Sequence, residues 1–363
     1  MRPYSILVIF ILFILGCSGR RNPEYMQEAT GKPGDVVMII DSNQWNGALG
    51  DTLRDILMAE VDGLPREEIL FNVISIDPSK KVSLLTQVRN LMYVFTLDQK
   101  TAGAREIIKG FTPETIEEIR SDTTYFIYTD ENIYSRGQKV MYLFGRSQDE
   151  LLRHLEENKY RIVDFFNTAE RERLEKNLFK TSSGKGTAAM LRKELQCEMR
   201  IPSEYKLADQ QPDFIWFRKI ETEADKDIFI AWKPYESEYQ FLPDSLIAWR
   251  DQIAKKYLFE DPQNPATHLV TETEVPFLPV KARQLSIHDH YTMQIRGLWR
   301  TNNKSMGGPF IGYAIADSPK GLLYYIEGFT YSPGKPQREI MRELETILWT
   351  FRTSEDLSEE ATN

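Results

Sequence analysis

Two histidines separated by one residue, in His288-Asp289-His290, form the most metal-like pattern in the chain. On a strand, residues two apart point to the same face and lie about 7 Å apart, so two imidazoles there could share a zinc ion. Glu272 or Glu274 would have to supply a third ligand. The apolar alternation around the motif leaves both histidines on a polar face, and incomplete ligand sets rarely bind metal. We therefore expect no metal and no other cofactor.

Serine and lysine patterns that resemble catalytic motifs are also incomplete. Residues 182–187 contain a lysine and hydroxyls before a predicted helix, but they lack the first glycine and the preceding apolar strand of a phosphate-binding loop. The Ser-x-x-Lys pattern of penicillin-binding enzymes begins at Ser182, Ser203 and Ser332, in each case without its companion motifs. We predict no catalytic residue and expect no nucleotide ligand.

One binding groove is predicted around the glycine-rich stretch 297–312. Its candidate residues are Arg296, Trp299, Gly307, Gly308, Pro309 and Phe310. Aromatic faces would supply contact area, and the glycines would let a peptide or a glycan approach the backbone closely. The alternative is a glycine-proline loop that covers the core of the domain, because aromatic side chains fill cores more often than binding sites.

The start of the chain is typical of an export signal. Arg2 supplies a positive charge, and residues 6–15 are ten consecutive apolar residues, half of the roughly 20 that a membrane-spanning helix needs. The run ends in Ile14-Leu15-Gly16-Cys17, which resembles the lipobox of bacterial lipoproteins. This pattern predicts a lipoprotein signal peptide over residues 1–16, lipid attachment at Cys17 and a tether over residues 17–30.

The residues after Cys17 indicate which membrane holds the anchor. No aspartate follows the cysteine, so retention at the inner membrane is not predicted. An acidic cluster of the kind found on surface-displayed lipoproteins of Bacteroidota does not follow either. We therefore expect the protein at the periplasmic face of the outer membrane.

Composition limits the partners. The 363 residues include 45 Lys and Arg and 54 Asp and Glu, for a formal net charge of −9, and no basic stripe is present. Nucleic acid is therefore not an expected partner. With Cys17 lipidated, Cys197 has no partner for an intramolecular disulfide. The length predicts about two domains.

Apolar periodicity predicts an α/β domain over residues 31–180. Buried strands are expected at residues 36–40, 70–76, 91–97, 125–129 and 139–144. Helices are expected between them and over residues 148–179, with Thr112-Pro113 as a helix start. Residues 181–186 are small and polar, which predicts a linker.

The pattern changes in residues 187–353. After a first helix come short strands, a helix near residues 246–257, a strand over 285–298, a hairpin of 310–316 and 322–331, and a last helix from Pro336. This order predicts an α+β sandwich, with an antiparallel sheet and flanking helices, and is similar to the PsbP/Mog1-like sandwich. Residues 354–363 are predicted to be a polar tail.

Several motifs together resemble a known family. They are Gly31-Lys32-Pro33-Gly34, Leu64-Pro65, Arg89-Asn90, Arg296-Gly297-Leu298-Trp299, Gly307-Gly308-Pro309-Phe310 and Tyr331-Ser332-Pro333-Gly334-Lys335. They are similar to a Bacteroidota lipoprotein family catalogued as domain of unknown function 4837 (DUF4837), over nearly the whole mature chain. The resemblance implies an envelope location and this architecture, and it implies no catalytic residue.

These patterns favour a non-enzymatic lipid-anchored envelope protein that binds or scaffolds an envelope protein, a peptide or a glycan. The hypothesis depends on the sequence holding no complete nucleophile, acid-base or metal set. The alternative is a periplasmic hydrolase whose carboxylates cannot be paired from sequence.

Overall fold

The computed structural model describes residues 22–80, 87–180, 185–258, 263–276 and 278–362. The predicted signal peptide, Cys17 and residues 181–184 of the predicted linker lie outside these ranges. The helices are α1 (Ser42–Trp45), α2 (Ala48–Leu57), α3 (Ala102–Ile108), α4 (Pro113–Ser121), α5 (Gln148–Glu157), α6 (Lys159–Leu178), α7 (Lys185–Leu195), α8 (Pro243–Tyr257), α9 (Arg338–Leu348) and α10 (Ser354–Thr362).

The strands follow the same chain order. They are β1 (Asp35–Ile40), β2 (Asn72–Ile76), β3 (Asn90–Thr96), β4 (Ile127–Glu131), β5 (Lys139–Gly145), β6 (Lys206–Gln211), β7 (Phe214–Ile220), β8 (Asp225–Pro234), β9 (Leu269–Thr271), β10 (Lys281–Ile287), β11 (His290–Thr301), β12 (Gly307–Asp317) and β13 (Leu322–Tyr331). Among the described residues, no helix is both long and apolar enough to cross a membrane.

The chain forms two compact units, and each contains two stretches of sequence. The first holds the residues up to 45 together with 74–151, and the second holds 46–73 together with 152–363. The segments 46–73 and 152–180, which the sequence groups with the first half, therefore belong to the second unit. The physical reason is packing: α6 contacts α9, and Leu64 lies in the same apolar cluster as the strands of the second unit.

The first unit has the α/β architecture predicted for the first half of the chain. Its sheet has the strand order β2-β1-β3-β5-β4, in which β1, β3 and β5 are parallel and β4 is antiparallel to β5. Val37, Leu91, Phe95 and Phe144 belong to its core. The predicted helix start is confirmed, since the Thr112 hydroxyl accepts a hydrogen bond from the amide of Thr115, which caps α4.

The second unit is the predicted α+β sandwich. Its antiparallel sheet has the order β10-β11-β12-β13-β8-β7-β6, and β9 pairs with β11. Alternate side chains of β12 face opposite layers: Ile311 packs in the cluster that contains α9, and Phe310 packs in the cluster that contains α8. The sheet is thus buried on both faces.

The strand predicted over residues 285–298 is a hairpin instead. β10 and β11 pair in antiparallel register down to Ile287 and His290, with His288 and Asp289 as the two turn residues. Both turn residues have positive φ, 49° and 65°, which matches a two-residue turn with left-handed central positions. Histidine and aspartate adopt this conformation more readily than most residues, but they are a weaker signal than Asn-Gly.

Both predicted terminal segments contain ordered pairing. Within the predicted tether, Glu28 and Thr30 form bridges with Arg136 and Val88. The predicted polar tail contains α10, whose start is fixed because Asp317 accepts hydrogen bonds from the amide and the hydroxyl of Ser354. Polar composition alone did not reveal these contacts, because they join residues far apart in the chain.

Candidate ligand-binding cavity

A cavity of about 910 Å³ opens in the second unit, lined by α6, β10, α9 and the segment 55–62. Its volume is in the upper part of the range of roughly 300–1,000 Å³ that small-molecule sites occupy. Part of the lining is apolar, and the aliphatic and methionine side chains of that part are Ile56, Ala59, Val61, Leu70, Val163, Ala282, Leu285 and Met341. The cavity can therefore remove part of a ligand from water.

A hydrogen-bonded network forms one polar part of the wall. Glu345 on α9 accepts hydrogen bonds from the Arg296 guanidinium and from the Tyr313 hydroxyl, each at 2.8 Å. The Tyr313 oxygen accepts hydrogen bonds from the Gln294 amide at 2.9 Å and from the Trp349 indole at 3.0 Å. Each member is held by at least one other, so the wall is rigid before a ligand arrives.

Charge settles the protonation state of this network. Burial alone would raise the pKa of Glu345, but the Arg296 and Arg171 guanidinium groups outweigh burial and hold that pKa below its usual value. Burial, reinforced by the Glu345 charge, raises the pKa of Tyr313. Glu345 is therefore anionic and Tyr313 neutral at neutral pH. The pair supports the wall and supplies no proton donor for chemistry near pH 7.

Arg171 is one cation of this cavity that is available for a ligand. Its guanidinium stacks on the Trp349 ring at 3.5 Å from the centroid and donates a hydrogen bond to the Thr168 hydroxyl at 3.1 Å. In the part of the chain that the structure describes, no carboxylate lies within ion-pair distance of it. A stacked guanidinium keeps donors in its plane that can bind a carboxylate or a phosphate.

The charged lining carries an excess of cations. Its basic members are Lys159, Arg171, Lys281, Arg283, Arg296, Arg338 and Arg342, and its acidic members are Asp55, Glu60, Asp62, Asp164 and Glu345. Seven basic minus five acidic side chains gives a formal charge of +2, in a chain whose net charge is −9. A positive cavity in an acidic protein favours anions over cations.

The predicted groove does not form as one surface. Arg296 lines the cavity just described, whereas Trp299 and Phe310 are 3 % and 1 % exposed and lie in the cluster that packs against α8. Gly308 and Pro309 are buried, and Gly307 is exposed. The alternative given above, in which these residues cover the core, describes the placement of the two aromatic side chains.

The glycine opposite Trp299 serves internal packing. Gly308 pairs with Trp299 across β11 and β12, and a Cβ at Gly308 would lie 2.0 Å from the carbonyl oxygen of Thr330. The close approach that the glycine permits is thus to a neighbouring strand. Trp299 also lines a second cavity, of about 130 Å³, together with Trp216, Phe329 and Tyr331.

The two histidines do not share a face as the strand prediction required. His288 lies in the turn, where its Nε2 donates a hydrogen bond to the carbonyl of Trp349 at 3.0 Å. His290 begins β11, and its Nε2 lies 3.1 Å from Asp356. Burial, aided by the Arg352 charge, lowers the pKa of His288. In the described ranges, no group of three or more His, Cys, Asp or Glu side chains could hold a metal ion.

Comparison with known proteins identifies the domains. Residues 185–350 match the model described as Domain of unknown function (DUF4837), and residues 29–179 match a second domain of unknown function, DUF8532. The resemblance to the DUF4837 family is thus confirmed over residues 185–350. The first half matches a different model, so the family covers less of the chain than the motifs suggested. A search of curated proteins found no match.

Two solved structures show weak similarity. Human StAR-related lipid transfer protein 5 is 8 % identical, with a TM-score of 0.22, over 49 % of this chain and 96 % of that protein. A fragment of the STAR-related lipid transfer protein from Xanthomonas axonopodis is 12 % identical, with a TM-score of 0.20, over 44 % of this chain and 100 % of the fragment. These scores do not establish a shared fold.

Sequence reasoning missed most of the cavity. Arg296 was selected, but Arg171, Glu345 and Trp349 were not, although all three line the same space. A usable signal exists in α9, where Glu345 lies on the same helix face as the buried Met341 and Leu348. Nothing in the sequence of α6 marks Arg171 among the other charged residues of that helix.

Proposed function

We propose that the protein is a lipid-anchored envelope lipoprotein, held at the periplasmic face of the outer membrane through Cys17, that binds a small amphipathic anion in the 910 Å³ cavity. The observation that carries the binding proposal is the lining of this cavity, which joins an apolar wall to a formal charge of +2. A ligand with a short hydrocarbon part and a carboxylate or phosphate group satisfies both features.

Arg171 is the residue assigned to the anionic group. It can add hydrogen bonds to a ligand without breaking an ion pair, whereas Arg296 is already committed to Glu345 and Arg283 to Asp164. Ile56, Val163 and Met341 then contact the hydrocarbon part. Binding of this kind needs no catalytic group, in agreement with the non-enzymatic hypothesis.

Decanoate is a suitable probe because it joins a nine-carbon alkyl chain to one carboxylate. We expect it to bind the full-length protein saturably, with one molecule per chain, in isothermal titration calorimetry. Arg171→Gln should weaken binding about tenfold, since a hydrogen bond to a charged group contributes about 1.5–3 kcal/mol. The matched control is Arg161→Gln, which changes an exposed arginine of the same helix that does not line the cavity.

Two further probes test the charge. Decanol has the same number of carbon atoms without the carboxylate, and decyltrimethylammonium has the opposite charge, so both should bind far more weakly than decanoate. Equal affinity for all three would show that only hydrophobic contact is involved and would contradict the proposed anion site. If Arg161→Gln also lost decanoate binding, the loss seen in Arg171→Gln could not be assigned to Arg171 itself.

The anchor is tested separately. Cys17→Ala should move the protein from the membrane pellet to the soluble fraction of cell envelopes, because the two or three acyl chains of a lipoprotein supply its membrane affinity. The melting temperature of the folded part should stay within about 1 °C of the wild type. If the variant still sediments with membranes, the folded part has its own membrane affinity and the lipid is not the sole anchor.

A further inference from the structure

The second cavity of the second unit, of about 130 Å³, is lined by aromatic rings and by two carboxylates. Trp216, Trp299, Phe329 and Tyr331 line it, and so do Asp225, Asp227 and Arg218. Two aspartates and one arginine give a formal charge of −1. This cavity therefore differs in sign from the cavity proposed for the anion.

Asp227 is the central polar group of this cavity. It is 1 % exposed, and its Oδ1 accepts hydrogen bonds from the Trp216 indole at 3.0 Å and from Arg218 Nε at 2.7 Å. We find no hydrogen bond to its other carboxylate oxygen, Oδ2, among the described residues. A buried carboxylate with one oxygen unpaired favours a cationic hydrogen-bond donor as ligand.

Burial raises the pKa of Asp227 to about 7, although Arg218 and Trp216 lower it. The single guanidinium in the cavity thus does not fully compensate the burial of this carboxylate. Arg218 is also shared, since its Nη2 lies 3.6 Å from Asp225. A second cation would be stabilised here, and it would lower the pKa of Asp227 towards its usual value.

We propose that this cavity binds an alkylammonium group, with Asp227 as its counter-ion and the aromatic side chains as its walls. Rings of tryptophan, tyrosine and phenylalanine attract a cation that lies over their faces, more strongly when the site is shielded from water. The volume corresponds to about four water molecules, given roughly 30 Å³ for each, which matches the end of a lysine side chain or a small free amine.

Butylamine is the probe for this proposal, added to the full-length protein with tryptophan fluorescence as the readout because Trp216 and Trp299 line the cavity. We expect a saturable change that sodium chloride at equal ionic strength and butanol do not produce. Asp227→Asn should weaken butylamine binding at least tenfold, and Asp244→Asn, an exposed aspartate on α8, should not. Equal responses to butylamine and sodium, or unchanged affinity in Asp227→Asn, would overturn the proposal.

Tetramethylammonium decides which alkylammonium the site prefers. Tighter binding of butylamine supports a primary amine, for which Oδ2 accepts an N–H bond, and tighter binding of tetramethylammonium supports a quaternary group held by the rings. Either order of affinities supports an alkylammonium site. If neither probe binds, the proposal is contradicted.

The wild type alone provides a second test, in case Asp227→Asn does not fold. Because the ligand binds the ionised carboxylate, affinity should rise about tenfold from pH 6 to pH 8, as Asp227 loses its proton with a pKa of about 7. The other ionisable groups near it are Arg218 on β7, Asp225 on β8, Tyr331 on β13 and Tyr205, whose pKa burial raises. Affinity that does not change with pH would count against Asp227 as the counter-ion.

Discussion

Arg250→Met is expected to lower the free energy of unfolding by about 3–5 kcal/mol, because it leaves the carboxylate of Glu327 buried without its counter-ion. Both side chains are 0 % exposed, and two hydrogen bonds of 2.8 Å join the guanidinium to the two carboxylate oxygens. The Tyr325 hydroxyl donates a further bond to Glu327, and Arg250 donates one to Thr271. Arg250, Tyr325 and Glu327 are each 0 % exposed, so water does not readily reach Glu327 to compensate the loss.

The stabilities of Arg250→Met and of a second single variant, Glu327→Gln, should respond differently to pH. Burial raises the pKa of Glu327 even beside Arg250, so without the arginine this carboxyl takes up a proton more readily. A raised folded-state pKa confers stability at low pH that is lost as the pH rises, and the cost of Arg250→Met should therefore be smaller at pH 5 than at pH 8. Glu327→Gln leaves a guanidinium that cannot lose its proton, so its cost should not fall in the same way.

Urea denaturation of both single variants and of Arg250→Met/Glu327→Leu measures these costs. The double variant should recover most of the loss, since apolar side chains of similar volume replace a buried ion pair at little cost. Lys256→Met is the matched control, because Lys256 lies on the same helix as Arg250 and forms an exposed ion pair with Asp213. Loss of that exposed pair should change stability by less than about 1 kcal/mol. Single variants that lose no more than this control would contradict the structure of the cluster.

Trp299→Ala is expected to cost about 3–5 kcal/mol as well, through loss of a core aromatic side chain. The ring is 3 % exposed, lies edge-on to Phe329 at 5.8 Å, and donates its indole N–H to the Thr330 carbonyl at 3.2 Å. Truncation removes the apolar contacts and leaves that carbonyl without its indole donor. Trp299→Phe retains much of the volume, so it should lose less.

The Trp299 prediction separates the two interpretations of the glycine-rich stretch. A tryptophan in an open groove could be removed with little effect on stability, as we expect for Tyr239→Ala, which truncates a side chain that is 76 % exposed. The melting temperatures of the three variants decide the matter. A Trp299→Ala variant as stable as Tyr239→Ala would show that the tryptophan is not part of the core.

The architecture could be predicted from sequence because each domain repeats a simple pattern. The unbroken apolar run in β1 and the run over residues 322–326 that opens β13 both require strands covered on both faces. Ile340, Leu344 and Ile347 recur at helical spacing, and they form the face with which α9 packs on the sheet. These signals are local, so neighbouring residues suffice to read them.

The cavity could not be predicted because its members are far apart in the chain. Arg171, Arg296 and Glu345 come from α6, β11 and α9, and only the folded second unit brings them together. The turn at His288 and Asp289 was missed for a different reason, since its residues are uncommon in two-residue hairpins. This one unrecognised turn led the sequence to place both histidines on the same face of a continuous strand.

The most direct test of the proposed function is a decanoate titration of a variant in which the cavity is filled. Ala282 is exposed on the edge strand β10 and lines the cavity, so Ala282→Trp should fill that space without disturbing the core. The control is Ala208→Trp, an exposed alanine on β6, the opposite edge of the same sheet. We predict that Ala282→Trp abolishes decanoate binding and that Ala208→Trp binds like the wild type. Undiminished binding to a folded Ala282→Trp variant would contradict the assignment of this cavity as the ligand site.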